Sequence, residues 1–214
     1  MAENRSDSLK GKTVIFLGSS VTYGSAVNGV SFADFLEKED EIISVKEAVS
    51  GTTLVDGDSS SYVSRMKTIN KSIKADAFVC QLSTNDASLK KPLGKVSESF
   101  DISDFDTQTV VGAIEYIISY ARETWKCPVI FYTGTKYDSE LYGRMVDLLL
   151  EIQKKHNIGV LDLWNSDEMN AVSEDDYKYY MANGIHPNYE GYRRWWTPQF
   201  RKYLAKLFDG GDEE

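Results

Sequence analysis

Three short stretches carry side chains that can do chemistry together: Gly18-Ser19-Ser20-Val21-Thr22-Tyr23-Gly24, Ser83-Thr84-Asn85-Asp86 and Asn183-Gly184-Ile185-His186-Pro187. A serine hydroxyl is inert near neutral pH until a base takes its proton, so Ser20 as a nucleophile needs a partner. Of the two histidines, His186 stands in a turn beside Pro187, whereas His156 follows Lys154-Lys155 at the end of an amphipathic segment, where it suits the negative end of a helix. His186 is therefore the expected base. Acyl transfer also needs donors aimed at the oxygen that becomes negative. The backbone N–H of Ser20, the N–H of Gly51 and the side-chain amide of Asn85 can supply them, and Gly51 permits close approach because it has no side chain. Asp86 is expected to brace the loop around Asn85. Taken singly, these are a turn hydroxyl, a surface histidine, a turn glycine and a helix cap. Their combination is what points to acyl transfer.

The elements between these stretches have to bring them together. Val14 to Leu17 is an apolar run of strand length that breaks at Gly18, reading as a buried first strand that delivers Ser20 to a sheet edge. Phe32, Phe35 and Leu36 predict a short helix, Ile42 to Val49 a second strand ending at Ser50-Gly51, and Asp58-Ser59-Ser60 a cap for a helix carrying Tyr62, Met66 and Ile69. Ala77 to Leu82 predicts a third strand, and 87–106 a long polar loop. Val110, Ala113, Ile114, Ile117, Ile118 and Ala121 recur at helical spacing, as do Leu141, Met145, Leu148, Leu149 and Ile152. Val129 to Tyr132 and Gly159 to Trp164 predict the remaining strands. Residues 165–183 are acidic and aromatic, His186-Pro187 opens a helix that Pro198 interrupts, and Thr197 is placed to cap a last helix. Strands alternating with helices in this way predict an α/β fold, a three-layer α/β/α sandwich of about five parallel strands. In such sheets the working groups gather at the carboxyl ends of the strands, which puts Ser20, Gly51, Asn85 and His186 on one rim. A single domain over 1–214 is expected, with the polar N-terminal segment 1–11 and the acidic tail 209–214 peripheral.

Composition narrows the chemistry. The 214 residues are 42% hydrophobic and 27% charged, as in an ordinary globular chain, and the net charge of −9 with no basic stripe speaks against a nucleic-acid partner. A polar N-terminus and the lack of a long apolar run predict no membrane span and a cytoplasmic protein. Cys80 and Cys127 lie in or beside apolar runs and read as buried thiols. Two histidines without clustered cysteines leave no expected metal site, and no cofactor is implied. Oligomeric state is not written in the sequence.

The blocks Gly18 to Gly24, Gly51, Ser83 to Asp86 and Gly184 to Pro187 resemble, in order and spacing, those of the SGNH or GDSL-type esterase and lipase family, over residues 13 to about 200. The resemblance implies a flavodoxin-like sandwich with strand order 2-1-3-4-5. It also implies Ser20 as nucleophile, Gly51 and Asn85 completing an oxyanion hole with Ser20, His186 as base, and metal-free hydrolysis of a small-molecule ester. Ser19 and Ser83 stand where the family usually has Asp and often Gly. The third departure touches the mechanism: the family's acid lies three residues before the histidine, and here that residue is Asn183. Three arrangements follow. A carboxylate among Asp162, Asp167, Asp175 and Asp176 reaches His186; or Ser20 and His186 work as a dyad with Asn183 as neutral orienter; or Asn183, followed by Gly184, deamidates to the acid.

Two rival readings use the same residues. A relative that binds an acylated or glycosylated ligand with little catalysis would tolerate Asn183. A flavodoxin-like mononucleotide-binding module would use the hydroxyl-rich loop after the first strand for a phosphate, but it leaves His186-Pro187 without a role. Polar hydroxyls in 87–106 and Tyr177, Tyr179 and Tyr180 in 165–183, both expected to flank Ser20, suit a small acyl group on a carbohydrate-like alcohol.

Overall fold

The computed structural model describes residues 7–210. Five strands, β1 (Thr13–Gly18), β2 (Ile43–Ala48), β3 (Ala77–Gln81), β4 (Val129–Tyr132) and β5 (Gly159–Leu161), form one parallel sheet in the order β2-β1-β3-β4-β5. The reason lies in their composition. Side chains alternate across a strand, and in β1, β3 and β4 both sides are apolar, so the sheet is stable only with helices on each face. Ile15 and Leu17 of β1, Phe78 and Cys80 of β3, and Val129 and Phe131 of β4 point into one core, whereas Val14, Phe16, Val79, Ile130 and Tyr132 point into the other.

The first core is closed by α3 (Tyr62–Met66), α5 (Val110–Trp125) and α6 (Glu140–His156). The second is closed by α2 (Phe32–Asp40) and α9 (Thr197–Phe208), whose Phe32 and Phe200 rings stack at 3.7 Å. Short helices α1 (Ser20–Tyr23) and α4 (Thr84–Ser88) begin directly after β1 and β3, and α7 (Asp167–Asn170) and α8 (Glu174–Tyr180) occupy the acidic, aromatic stretch. Caps follow the expected chemistry at Ser31, Thr109 and Ser139, each accepting a backbone N–H of its helix.

Several local expectations are corrected. Ser61, not Asp58 to Ser60, caps α3, and Ile69 lies beyond that helix. Residues 165–183 carry two helices. His186-Pro187 does not open a helix: Pro187 pairs with Met181 in an isolated antiparallel bridge, and the helical path runs through a π-helical segment, Gly191–Trp196, directly into α9. Pro198 sits in the first turn of α9, where its missing N–H costs nothing, and Thr197 Oγ1 donates back to the Tyr192 carbonyl at 2.7 Å rather than capping. His156 does lie in the last turn of α6 as expected, but it is buried there, with Nε2 2.9 Å from Glu115 Oε1 of α5. Lys155 joins the same carboxylate and holds the Ser97 and Ser99 carbonyls, so the 87–106 stretch is pinned to α5 and α6. No hydrogen bond from that stretch beyond α4 reaches Ser20 or His186 among the described residues. Leu9, in the segment expected to be peripheral, is fully buried, while residues 1–6 and 211–214 of the two expected peripheral segments lie outside the described residues. Among the described residues no helix is long and apolar enough to cross a membrane.

Candidate active site

Ser20 is the first residue of α1, immediately after β1 ends at Gly18. The turn is tight: a Cβ on Gly18 would fall 1.8 Å from Thr22 Oγ1 and 2.9 Å from Gln81 Oε1. Glycine is required there by close approach. Gln81, the last residue of β3, accepts from the Ser19 N–H at 2.9 Å and from the Thr22 hydroxyl at 2.8 Å, and Tyr132 of β4 lies 2.6 Å from the same hydroxyl. Three neighbouring strands thus fix the backbone that carries Ser20. As a first-turn N–H, that of Ser20 has no partner within its own helix.

The second loop is tied to the same place. Gly51 lies in the left-handed region at φ +83°, a conformation that favours glycine, and a Cβ added to it would meet nothing within 4 Å. Asn85 Nδ2 donates to the Thr52 carbonyl at 2.9 Å, which commits one of its two amide hydrogens and leaves the other. Ser83 caps α4 and also donates to the Thr52 carbonyl. Asp86 does not brace Asn85 directly. Its buried carboxylate accepts the N–H groups of Leu54 and Val55 at 2.8 and 3.1 Å, so it fixes the far end of the Gly51 loop. Burial pushes the Asp86 carboxyl up, with the two N–H groups and Ser83 pulling the other way.

Sequence reasoning missed Arg65. This buried side chain uses all five N–H donors, on the carbonyls of Ser60, Glu47 and Gly18, the Glu47 carboxylate and Thr52 Oγ1. It ties the end of β1 to the end of β2 and the Gly51 loop. The signal was faint: one arginine on the short apolar helix Tyr62–Met66. Gln81, a lone amide in an apolar strand, was the clearer hint.

His186 arrives from the hairpin-like segment closed by the Met181–Pro187 bridge, and its Nε2 lies 2.7 Å from Ser20 Oγ. Asn183 Oδ1 lies 3.0 Å from His186 Nδ1 and accepts the backbone N–H groups of Ile185 and His186, each at 2.9 Å. Those two N–H groups require an acceptor, so the atom is the amide oxygen and not the nitrogen. The facing Nδ1 then carries the ring proton, and Nε2 presents its lone pair to the Ser20 hydroxyl. His186 is half-buried, and burial pulls its pKa below the ordinary value, favouring the neutral ring. Among the described residues none of the carboxylates weighed as alternatives makes a hydrogen bond to His186. Asp162 accepts from Thr133 and Asn165, Asp176 pairs with the capping Ser173, and Asp167 and Asp175 lie in the first turns of α7 and α8. Of the tyrosines, Tyr177 donates to the Gly184 carbonyl at 3.2 Å and Tyr180 stacks on Trp195, while Tyr179 is exposed. Among the described residues no group of three or more His, Cys, Asp or Glu side chains is arranged to hold a metal ion.

The model of the GDSL-like lipase/acylhydrolase family matches residues 16–194, spanning every segment just described. The chain belongs to that family. Solved structures agree on the fold of this GDSL-like chain. It is similar to a protein from Lactobacillus plantarum at 18% identity and TM-score 0.74, over 95% of this chain and 99% of the other. An acetyl xylan esterase is similar at 15% identity and TM-score 0.64, over 90% and 98%. A family two carbohydrate esterase from Clostridium thermocellum, solved with cellohexaose, is similar at 16% identity and TM-score 0.65, over 93% of this chain and 65% of the other. No curated protein matches the sequence.

Proposed function

We propose that this GDSL-like family member is a serine hydrolase of carboxylic esters that works through an acyl-Ser20 intermediate. The observation carrying the proposal is the relay Ser20 Oγ, His186 Nε2, His186 Nδ1, Asn183 Oδ1, with links of 2.7 and 3.0 Å. His186 Nε2 takes the Ser20 proton as Oγ attacks the ester carbonyl. The tetrahedral oxyanion is met by the N–H groups of Ser20 and Gly51 and the uncommitted amide hydrogen of Asn85, donors fixed before the charge appears. The imidazolium returns its proton to the leaving alcohol. Water then enters and gives its proton to Nε2 as its oxygen attacks the acyl carbon, and the imidazolium passes that proton to Ser20 Oγ as the acid leaves.

Asn183 serves in this scheme as a neutral orienter. In serine proteases an acid-to-amide change costs roughly 10⁴ in rate because the ring takes the wrong tautomer. That cause is absent when the amide oxygen faces Nδ1, as it does here. What the amide lacks is the charge that steadies the imidazolium. The proposed chemistry is therefore slower than with an acid, but correctly wired. The esterase likenesses and the polar setting favour a small acyl group on a hydroxylated alcohol over a lipid chain. Cys80 and Cys127, buried and unpaired, suit the cytoplasmic setting we include in the reading.

A panel of 4-nitrophenyl esters from acetate to octanoate, on wild type and Ser20→Ala, tests the proposal. Turnover falling with chain length, lost in Ser20→Ala and accompanied by fluorophosphonate labelling of Ser20, supports it. A folded wild type that neither turns over nor labels supports the ligand-binding relative instead, as Asn183 would allow.

A further inference from the structure

One cavity among the described residues is lined by neither Ser20 nor His186. It lies beside the catalytic turn, at the carboxyl end of β4, with a volume of about 510 Å³ and walls that include Thr135, Lys136, Asn170, Tyr177 and Trp195. That is ample for a small-molecule ligand. Thr135 follows β4, which lies two strands from β1 in the sheet, so the cavity is displaced sideways from Ser20 by roughly 10 Å. Tyr177 connects the two places, lining the cavity and donating to the carbonyl of Gly184, two residues before His186.

Its polar groups are unsatisfied in a particular way. Thr135 is 3% exposed, and among the described residues its hydroxyl makes no hydrogen bond while its oxygen is not sealed from the cavity, so it is free to meet a ligand there. Asn170 spends its amide hydrogens on the carbonyls of Trp164 and Ser166, leaving Oδ1 as an uncommitted acceptor. The ammonium of exposed Lys136 and the indole N–H of Trp195 have no acceptor among the described residues. The lining therefore offers a donor-acceptor, an acceptor and two donors, together with the rings of Tyr177 and Trp195, which meet edge to face. An alkyl chain would leave the polar atoms unmet. A sugar ring has hydroxyls that both donate and accept, and a C–H face that covers an aromatic ring.

We infer that this cavity holds a sugar residue of the alcohol part of the substrate, so that the ester bond reaches Ser20 while the saccharide lies against Tyr177 and Trp195. The inference rests on the hydrolase reading for its link to Ser20, but the cavity's ligand class stands on the cavity alone.

The test uses the full chain bearing Ser20→Ala, titrated by calorimetry with xylotetraose, cellotetraose and chitotetraose, and separately with octanoate. At least one tetrasaccharide is expected to bind, with Thr135→Val, Tyr177→Ala and Lys136→Ala each weakening it about fivefold or more, the loss for one hydrogen bond or ring contact. Lys136 is exposed, so its variant guards against misfolding as the cause. No binding by any of the three, sugar binding indifferent to the cavity variants, or octanoate binding that the same variants weaken would each overturn the inference. Wild type that hydrolyses 4-nitrophenyl acetate while binding none of the sugars would overturn it and leave the hydrolase reading intact. Cavity-dependent sugar binding in a chain whose Ser20 never labels would sustain the cavity and remove the hydrolase reading.

Discussion

Asn183 Oδ1 accepts three N–H groups, those of the Ile185 and His186 backbones and that of the His186 ring, so one neutral oxygen sets both the turn and the tautomer of the histidine it contains. An oxygen held this way can be exchanged for a carboxylate oxygen with little rearrangement.

Asn183→Asp is therefore expected to keep all three hydrogen bonds and add a charge beside the imidazolium. Turnover of 4-nitrophenyl acetate should rise roughly tenfold, the effect of about one pKa unit of added stabilisation. Asn183→Ala, which frees the ring, should lower it by more than about tenfold. A fall in Asn183→Asp with wild type fully active would mean that another carboxylate already serves His186.

In the proposed mechanism the pH profile follows from burial of His186, which lowers its pKa and would leave the ring a base to more acidic pH than a free histidine. In wild type kcat/KM should rise through a midpoint below 6.5 and then level off, since only the neutral ring accepts the Ser20 proton. The negative charge that Asn183→Asp introduces favours the protonated ring and should move that midpoint upward. The same shift links to stability: with the folded pKa depressed, the contribution of His186 is complete above the unfolded pKa and is lost as pH falls through the folded one.

Asp86→Ala should loosen the Gly51 loop by leaving the N–H groups of Leu54 and Val55 without an acceptor. The expected loss is about 2–4 kcal/mol, a drop in Tm of roughly 4–16 °C by thermal scanning. If Tm is unchanged, the carboxylate is not what holds that loop.

Arg65→Lys should fail to replace arginine, because an ammonium carries three donors and five acceptor contacts are in place. A loss of about 2–4 kcal/mol in urea titration is expected. In the protein that stays folded, kcat should fall more than KM rises, since the Gly51 loop carries a proposed oxyanion donor. Wild-type kcat in Arg65→Lys would reduce the side chain to a purely structural tie.

Much of the fold was legible because the apolar strands and the period of α5 and α6 are local patterns that burial on both faces of a parallel sheet enforces. The boundaries that went astray have equally physical reasons. Thr197 had the chemistry of a cap, but helix geometry continued through it, and its hydroxyl turned back to Tyr192. His156 keeps its expected place at a helix end, but its burial against Glu115, 41 residues away, is a contact only the fold makes.

The chain by itself determined which residue types are available and in what order: a serine after the first strand, a glycine after the second, an asparagine after the third, and a histidine three residues beyond Asn183. Only the folded arrangement decided that Asn183 presents its oxygen to the ring, that Arg65 and Asp86 fasten the Gly51 loop, and that Thr135 lines a cavity without a partner. The division has a simple cause. Strand and helix patterns are set by neighbours along the chain, whereas the partner of a polar atom is set by segments that meet only after the core has closed.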